Sequence, residues 1–176
     1  VTDPTTNAHS FRPPAWLRTA LIGRRPKRML ARIVVLVVAV FLARAYVVLP
    51  IHLRGTSMLP TYQDGGVNFV NRLAYARSEP KRGDVVAIRL AGQSVMYLKR
   101  IVGLPGDTVA FHKGHLLING AVVEEPYLNS GCDWEIPPET LAPNLYYVVG
   151  DNRSMPEKLH EKGKTPRQRI VGRVLW

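Results

Sequence analysis

His115-Leu116-Leu117-Ile118-Asn119-Gly120-Ala121-Val122-Val123 is two short apolar runs joined by Asn-Gly. Both central residues tolerate the positive φ that a type I′ turn needs, so this stretch predicts a tight β-hairpin. The same texture continues outward in both directions. Val67 to Leu73, Asp84 to Leu90, Ser94 to Val102, Thr108 to Phe111 and Leu145 to Val149 are short runs rich in β-branched and aromatic residues, broken by Gly and Pro. That is the signature of strands. Pro105-Gly106 suits a type II turn, and Gly83-Asp84 and Gly92 punctuate the strands beside it. No 3.6-residue apolar period persists past Pro50. Residues 50–176 are therefore expected to be mainly β and antiparallel, with a hairpin-containing insertion at about 108–145. The proline-rich stretch Glu135 to Pro143 reads as a surface loop, and Phe11 to Ala15 as a linker.

Before Pro50 the texture is different. Arg12, Arg18, Arg24, Arg25, Lys27, Arg28 and Arg32 face only Asp3 across the first 32 residues. Ile33 to Leu42 then carries no polar side chain, and apolar character resumes past Arg44. From Met29 to Leu49 the run is long enough, at about 1.5 Å per residue, to match the ~30 Å hydrocarbon layer. Arg32 and Arg44 sit near its ends, where a long stem lets the guanidinium reach headgroups. The chain thus divides into a basic arm at 1–28, a membrane anchor at 29–49 and a β-rich domain at 50–176. Basic residues crowding one flank make that flank cytoplasmic and place the β-rich domain outside the cytoplasm. The arm also suits anionic lipid headgroups. A cleaved signal peptide competes with the anchor, because Ala43-Arg44-Ala45 fits an A-x-A cleavage site, although the basic arm is long for one. A core helix lacks a second long apolar run to pack on, and a nucleic-acid tail lacks interleaved aromatics or a DNA-binding motif. No nucleic-acid partner is expected.

Composition narrows the chemistry. The chain has 176 residues and a formal net charge of +11, and 46% hydrophobic against 21% charged residues is too apolar for disorder. One cysteine, Cys132, excludes an intrachain disulfide framework and a cysteine zinc cluster. His9, His52, His112, His115 and His160 show no metal-ligand spacing. Neither metal nor cofactor is expected. Cys132 itself has no evident histidine partner. Ser78-Glu79-Pro80-Lys81 matches S-x-x-K without the companion motifs of penicillin-binding enzymes.

Two residues stand out. Ser57 lies in Gly55-Thr56-Ser57-Met58-Leu59-Pro60-Thr61, where glycine and proline force a bent backbone that presents a hydroxyl. An ordinary turn serine reads the same way. Lys99 lies inside the apolar run Met96 to Val102. Alternation puts Tyr97, Lys99 and Ile101 on one strand face and Leu98, Arg100 and Val102 on the other, so one of two adjacent cations must point among apolar neighbours. Burial disfavours an ammonium and makes lysine a base near neutral pH. A snorkelling edge-strand lysine is the alternative.

Taken in order, Gly55 to Thr61, Arg82-Gly83-Asp84-Val85-Val86, Tyr97 to Asp107 and Gly150-Asp151-Asn152-Arg153 resemble bacterial type I signal peptidase, also called leader peptidase. The resemblance runs from about Leu42 to Arg173. It implies a membrane-bound serine endopeptidase that removes signal peptides from exported preproteins after an Ala-x-Ala-like motif. By motif position Ser57 would be the nucleophile and Lys99 the general base, with Arg100, Asp151, Asn152 and Arg153 as supports. The backbone N–H of Ser57 is the first oxyanion donor. Position 55, a serine in many Gram-negative members, is Gly55 here, as in Gram-positive members. Pro50 to Arg54 would pair with an extended substrate, and Ile51, Leu53, Met58, Tyr97 and Leu98 would contact its small side chains.

The last motif departs from the family. Gly-Asp-Asn-Arg is usually followed by x-x-Ser-x-Asp-Ser-Arg; here Pro156, Lys158, Leu159 and His160 fill those positions. The serine that orients the lysine, and an Asp/Arg pair behind it, are replaced. Ser154 is the candidate substitute. Two other readings stay open: a relative with weakened or no activity that still binds signal-peptide-like segments, or a Ser/Lys processing peptidase dedicated to one client.

Overall fold

Asn119 and Gly120 both have positive φ, at 54° and 83°, and close the hairpin that their identities predict. The computed structural model describes residues 26–89, 96–160 and 162–175. The linker Phe11 to Ala15, the arm before Pro26, and Leu90, Gly92 and Ser94 lie outside the described residues.

Helix α1 runs from Pro26 to Tyr46. Proline fits the first helical turn, where its missing N–H has no intrahelical partner. The most apolar 18 residues within Lys27–Tyr46 have a mean hydropathy of 2.1, and the helix is long and apolar enough to cross a membrane. It stops short of Leu49, the end expected for the anchor. Pro50 disfavours helix in the residue before it, and Val48 and Leu49 instead join strand β1, Val48–His52.

The remaining described strands are β2 (Val67–Asn71), β3 (Val85–Arg89), β4 (Met96–Gly103), β5 (Thr108–His112), β6 (His115–Ile118), β7 (Ala121–Val122), β8 (Ile136–Thr140), β9 (Leu145–Val149), β10 (Gly163–Pro166) and β11 (Ile170–Leu175). Seven form one antiparallel sheet in the order β1-β2-β11-β3-β4-β9-β10, and four form a second in the order β7-β6-β5-β8. Val85 to Ile88 are consecutively buried, as expected of a central strand covered on both faces. One cover consists of Leu53, Met58, Tyr62, Val70 and Leu98; on the other, Val86, Ile88, Ile101 and Val148 pack together. The second sheet joins the first through Val102, Phe111, Leu116, Trp134 and Tyr147.

The stretch Glu135 to Pro143 is a correction. Rather than a loop, Ile136–Thr140 is strand β8, with Thr108↔Thr140 and Phe111↔Ile136 in register. Prolines are tolerated there because β8 is an edge strand and Pro137 and Pro138 fall where its pairing with β5 shifts register, between Val109 and Phe111.

The larger sheet has β1 and β10 at its edges. Met96 to Lys99 pair with β3 on one side, while β9 joins β4 only from Arg100 onward. Among the described residues, β1 is paired by β2 alone.

Candidate active site

Ser57 sits in the turn between β1 and β2, and the sequence explains why that turn is stiff. Gly55 takes φ 107°, which an L side chain rarely adopts, and its N–H donates to Asp64 Oδ1 at 2.8 Å. Met58 has no exposed surface and plugs the turn into the core between Leu53 and Leu98. The amides of Leu59 and Tyr62 donate to Thr56 O at 3.1 Å and Met58 O at 2.9 Å. Ser57 itself is half-buried.

Lys99 comes from β4 and is 2% exposed. Its Nζ lies 2.7 Å from Ser57 Oγ and 5.7 Å from the centre of the Tyr97 ring. The neighbouring cation, Arg100, points to the opposite face and binds Asp151 in a fork, Nε to Oδ1 at 2.9 Å and Nη2 to Oδ2 at 2.5 Å. It also donates to Gly83 O and stacks on Tyr127 at 3.9 Å. Burial alone would lower the Arg100 pKa, and the Asp151 carboxylate more than reverses this. Strand alternation thus gives each cation its own partner.

The Gly150–Arg153 turn closes the site from the other side. Asn152 donates its N–H to Ser57 O at 3.0 Å and its side-chain amide to Thr56 O at 3.0 Å. Asp151 accepts from Thr61 Oγ1 as well as from Arg100. Gly150 must lack a side chain: a Cβ there would lie 2.2 Å from Ser57 O and 3.0 Å from His160 Nε2. Arg153 is 1% exposed and forks onto Glu125, Nη1 to Oε2 at 2.9 Å and Nη2 to Oε1 at 2.5 Å. Ser154 is exposed and gives its hydroxyl to Asn152 Oδ1 at 2.6 Å.

The sequence marks His160 only as a departure from the last motif, and does not mark Glu125 at all. His160 is 4% exposed, accepts the Gly150 N–H on Nε2 at 2.9 Å and packs edge-on against Trp134 with ring centres 4.7 Å apart. An Nε2 that accepts puts the ring proton of the neutral imidazole on Nδ1, which is buried without a hydrogen-bond partner. Burial, reinforced by the charges of Lys99, Arg153 and Lys162 and opposed by the Gly150 N–H, lowers its pKa to about 4. Glu125, for its part, also accepts from Tyr127 Oη. No local motif marks it, since its partner lies 28 residues on.

Ile51, Leu53, Tyr97 and Leu98 share a cavity of about 400 Å³ between β1 and the half-strand at the start of β4. Met58 is not in its lining; it lies in the core with Leu53 and Leu98.

A model of the family described as "Signal peptidase, peptidase S26" matches residues 27–176. The chain is 36% identical over 151 residues to signal peptidase I of Bacillus licheniformis, covering 80% of this chain and 81% of that one. It is 39% identical over 132 residues to signal peptidase I S of Bacillus subtilis, covering 69% and 71%. To signal peptidase I of Leptolyngbya laminosa it is 34% identical over 140 residues, covering 75% and 69%.

Proposed function

Given that this chain belongs to the signal peptidase family, peptidase S26, and is a serine endopeptidase, we propose that it cuts by a Ser57 nucleophile and a Lys99 general base. The observation that carries this reading is the 2.7 Å separation of Lys99 Nζ and Ser57 Oγ in a place where the lysine is 2% exposed. A serine hydroxyl attacks poorly until a base takes its proton, and a buried amine at that distance, in its neutral form, is such a base. Lys99 takes the Ser57 proton while Oγ bonds to the scissile carbonyl carbon. The resulting oxyanion is met by backbone N–H, that of Ser57 first. As the C–N bond breaks, the lysine ammonium returns the proton to the leaving amine. Water then attacks the acyl-serine, with Lys99 again taking a proton and Ser57 recovering it.

An extended substrate fits the cavity between β1 and the start of β4, where β1 is an edge strand among the described residues and can receive added main chain. The buried floor of Leu53 and Leu98 leaves room for small side chains, consistent with an Ala-x-Ala-like cleavage motif. Lys99 is enclosed, and Ser154, the candidate substitute for the serine replaced by Pro156, gives its hydroxyl to Asn152. The substrates are signal peptides of exported preproteins. Helix α1 spans the cell membrane once, with the basic arm cytoplasmic and near anionic headgroups and residues 50–176 outside. Ser57→Ala and Lys99→Ala each abolish cleavage of a precursor by the full chain in detergent. Turnover retained by either variant rejects the mechanism, and a wild type that binds precursor without cutting it selects the inactive-relative reading.

A further inference from the structure

A second cavity, of about 380 Å³, opens on the sheet face that carries Tyr97 and Lys99. Its wall holds the cations Lys162, Lys164 and Arg169 beside Lys99, and no carboxylate among the described residues. Lys162 and Lys164 are tethered from outside the wall, to Glu157 at 2.9 Å and Glu139 at 2.5 Å. The second of these pairs is exposed on both sides, so an incoming carboxylate can compete for its lysine. Arg169 is exposed and forms no ion pair among the described residues.

Geometry says which part of a substrate reaches this wall. If Lys99 removes the Ser57 proton, the same amine delivers it to the leaving nitrogen, which must then lie within hydrogen-bond reach of Nζ. The acyl half of the substrate occupies the cavity between β1 and β4, which Tyr97 also lines. The leaving half therefore starts beside Lys99, and Lys99 is part of the wall that continues to Lys162, Lys164 and Arg169.

Resting on the peptidase reading, we infer that the Lys162–Lys164–Arg169 wall is a specificity site for acidic side chains in the first few residues after the scissile bond. The expected gain is about fivefold in kcat/KM for an acidic residue there over alanine, the scale of a partly exposed ion pair. Lysine at the same place is disfavoured by repulsion.

The test uses the full chain in detergent and precursor peptides identical up to the scissile bond, with Ala, Asp or Lys at the second to fourth leaving positions. Wild type prefers the Asp series, and the preference shrinks toward unity as salt rises to roughly 0.5 M. Arg169→Glu and Lys164→Gln each collapse the Asp-to-Ala ratio. Arg77→Glu, an exposed cation elsewhere, leaves that ratio unchanged. Equal rates for the three series, or an Asp preference that survives Arg169→Glu, overturn the inference while leaving the peptidase reading intact. So does a loss in Arg169→Glu that is equal for all peptides and appears only with vesicles of anionic lipid, which assigns the wall to headgroups. If wild type cuts no peptide, the peptidase reading fails on its own; the same ratio is then measured by fluorescence anisotropy of peptides bound to Ser57→Ala, and equal affinities refute the wall as an acidic site.

Discussion

Replacing Gly150 by alanine drives a methyl group against the carbonyl oxygen of Ser57, with the ideal Cβ only 2.2 Å from that oxygen. Carbon and oxygen do not ordinarily approach closer than roughly 3.3 Å, so one backbone must retreat by about 1 Å. Neither is free to do so cheaply. The Gly150 amide is bonded to His160, and the Ser57 carbonyl accepts the Asn152 amide. The retreat therefore displaces the nucleophile from Lys99. A misplacement of about 1 Å at a reacting group costs about 100-fold in rate, equivalent to about 2.7 kcal/mol of barrier. Crowding costs about 1–3 kcal/mol of folding stability as well. Steady-state cleavage of a precursor peptide should show kcat down about 100-fold with KM little changed, because the cavity between β1 and β4 does not include Gly150. Thermal unfolding should show a folded but less stable protein. A Gly150→Ala enzyme with wild-type kcat and an unshifted midpoint would refute the claim that this turn sets the nucleophile's position.

Glu125→Ala strands the Arg153 guanidinium, which is 1% exposed, and is expected to cost about 3–5 kcal/mol in urea unfolding; a loss below about 1 kcal/mol would show the pair to be dispensable. His160 supplies a pH signature. Its pKa of about 4 in the folded chain lies below the ordinary value of 6.5, so between those two pH values the unfolded chain binds a proton that the folded chain does not. Stability should fall as pH is lowered from about 6.5 to about 4, and His160→Gln, which keeps an acceptor for Gly150, should flatten that slope in thermal unfolding. An unchanged slope would mean that another group titrates there.

The parts of this molecule legible in its sequence are those encoded by near neighbours. Asn119-Gly120 specifies its turn through two local φ angles, and the alternation from Met96 to Val102 separates Lys99 from Arg100 whatever the rest of the chain does. Glu135 to Pro143 reads as a loop because prolines forbid an interior strand, and whether a strand is interior or at an edge is decided by the sheet around it. What His160 and Glu125 do is hidden for a similar reason. Their roles depend on burial and on partners at positions 150 and 153, brought close by the fold rather than by spacing. Met58 belongs to the core rather than the cavity because its side chain anchors the turn from within, against Leu53 and Leu98. The dyad is reachable only through the ordered set of motifs, since a turn serine and a strand lysine are each commonplace.

Strand β8 has a consequence for a protein whose clients arrive as extended chains. Pro137 and Pro138 are adjacent, and successive N–H groups in a strand point to opposite sides, so one of the two prolines removes a donor from the outward rim of the smaller sheet. A stretched polypeptide finds one donor fewer along that rim. That makes the β8 margin of the smaller sheet a poorer place for an unfolded chain to stick.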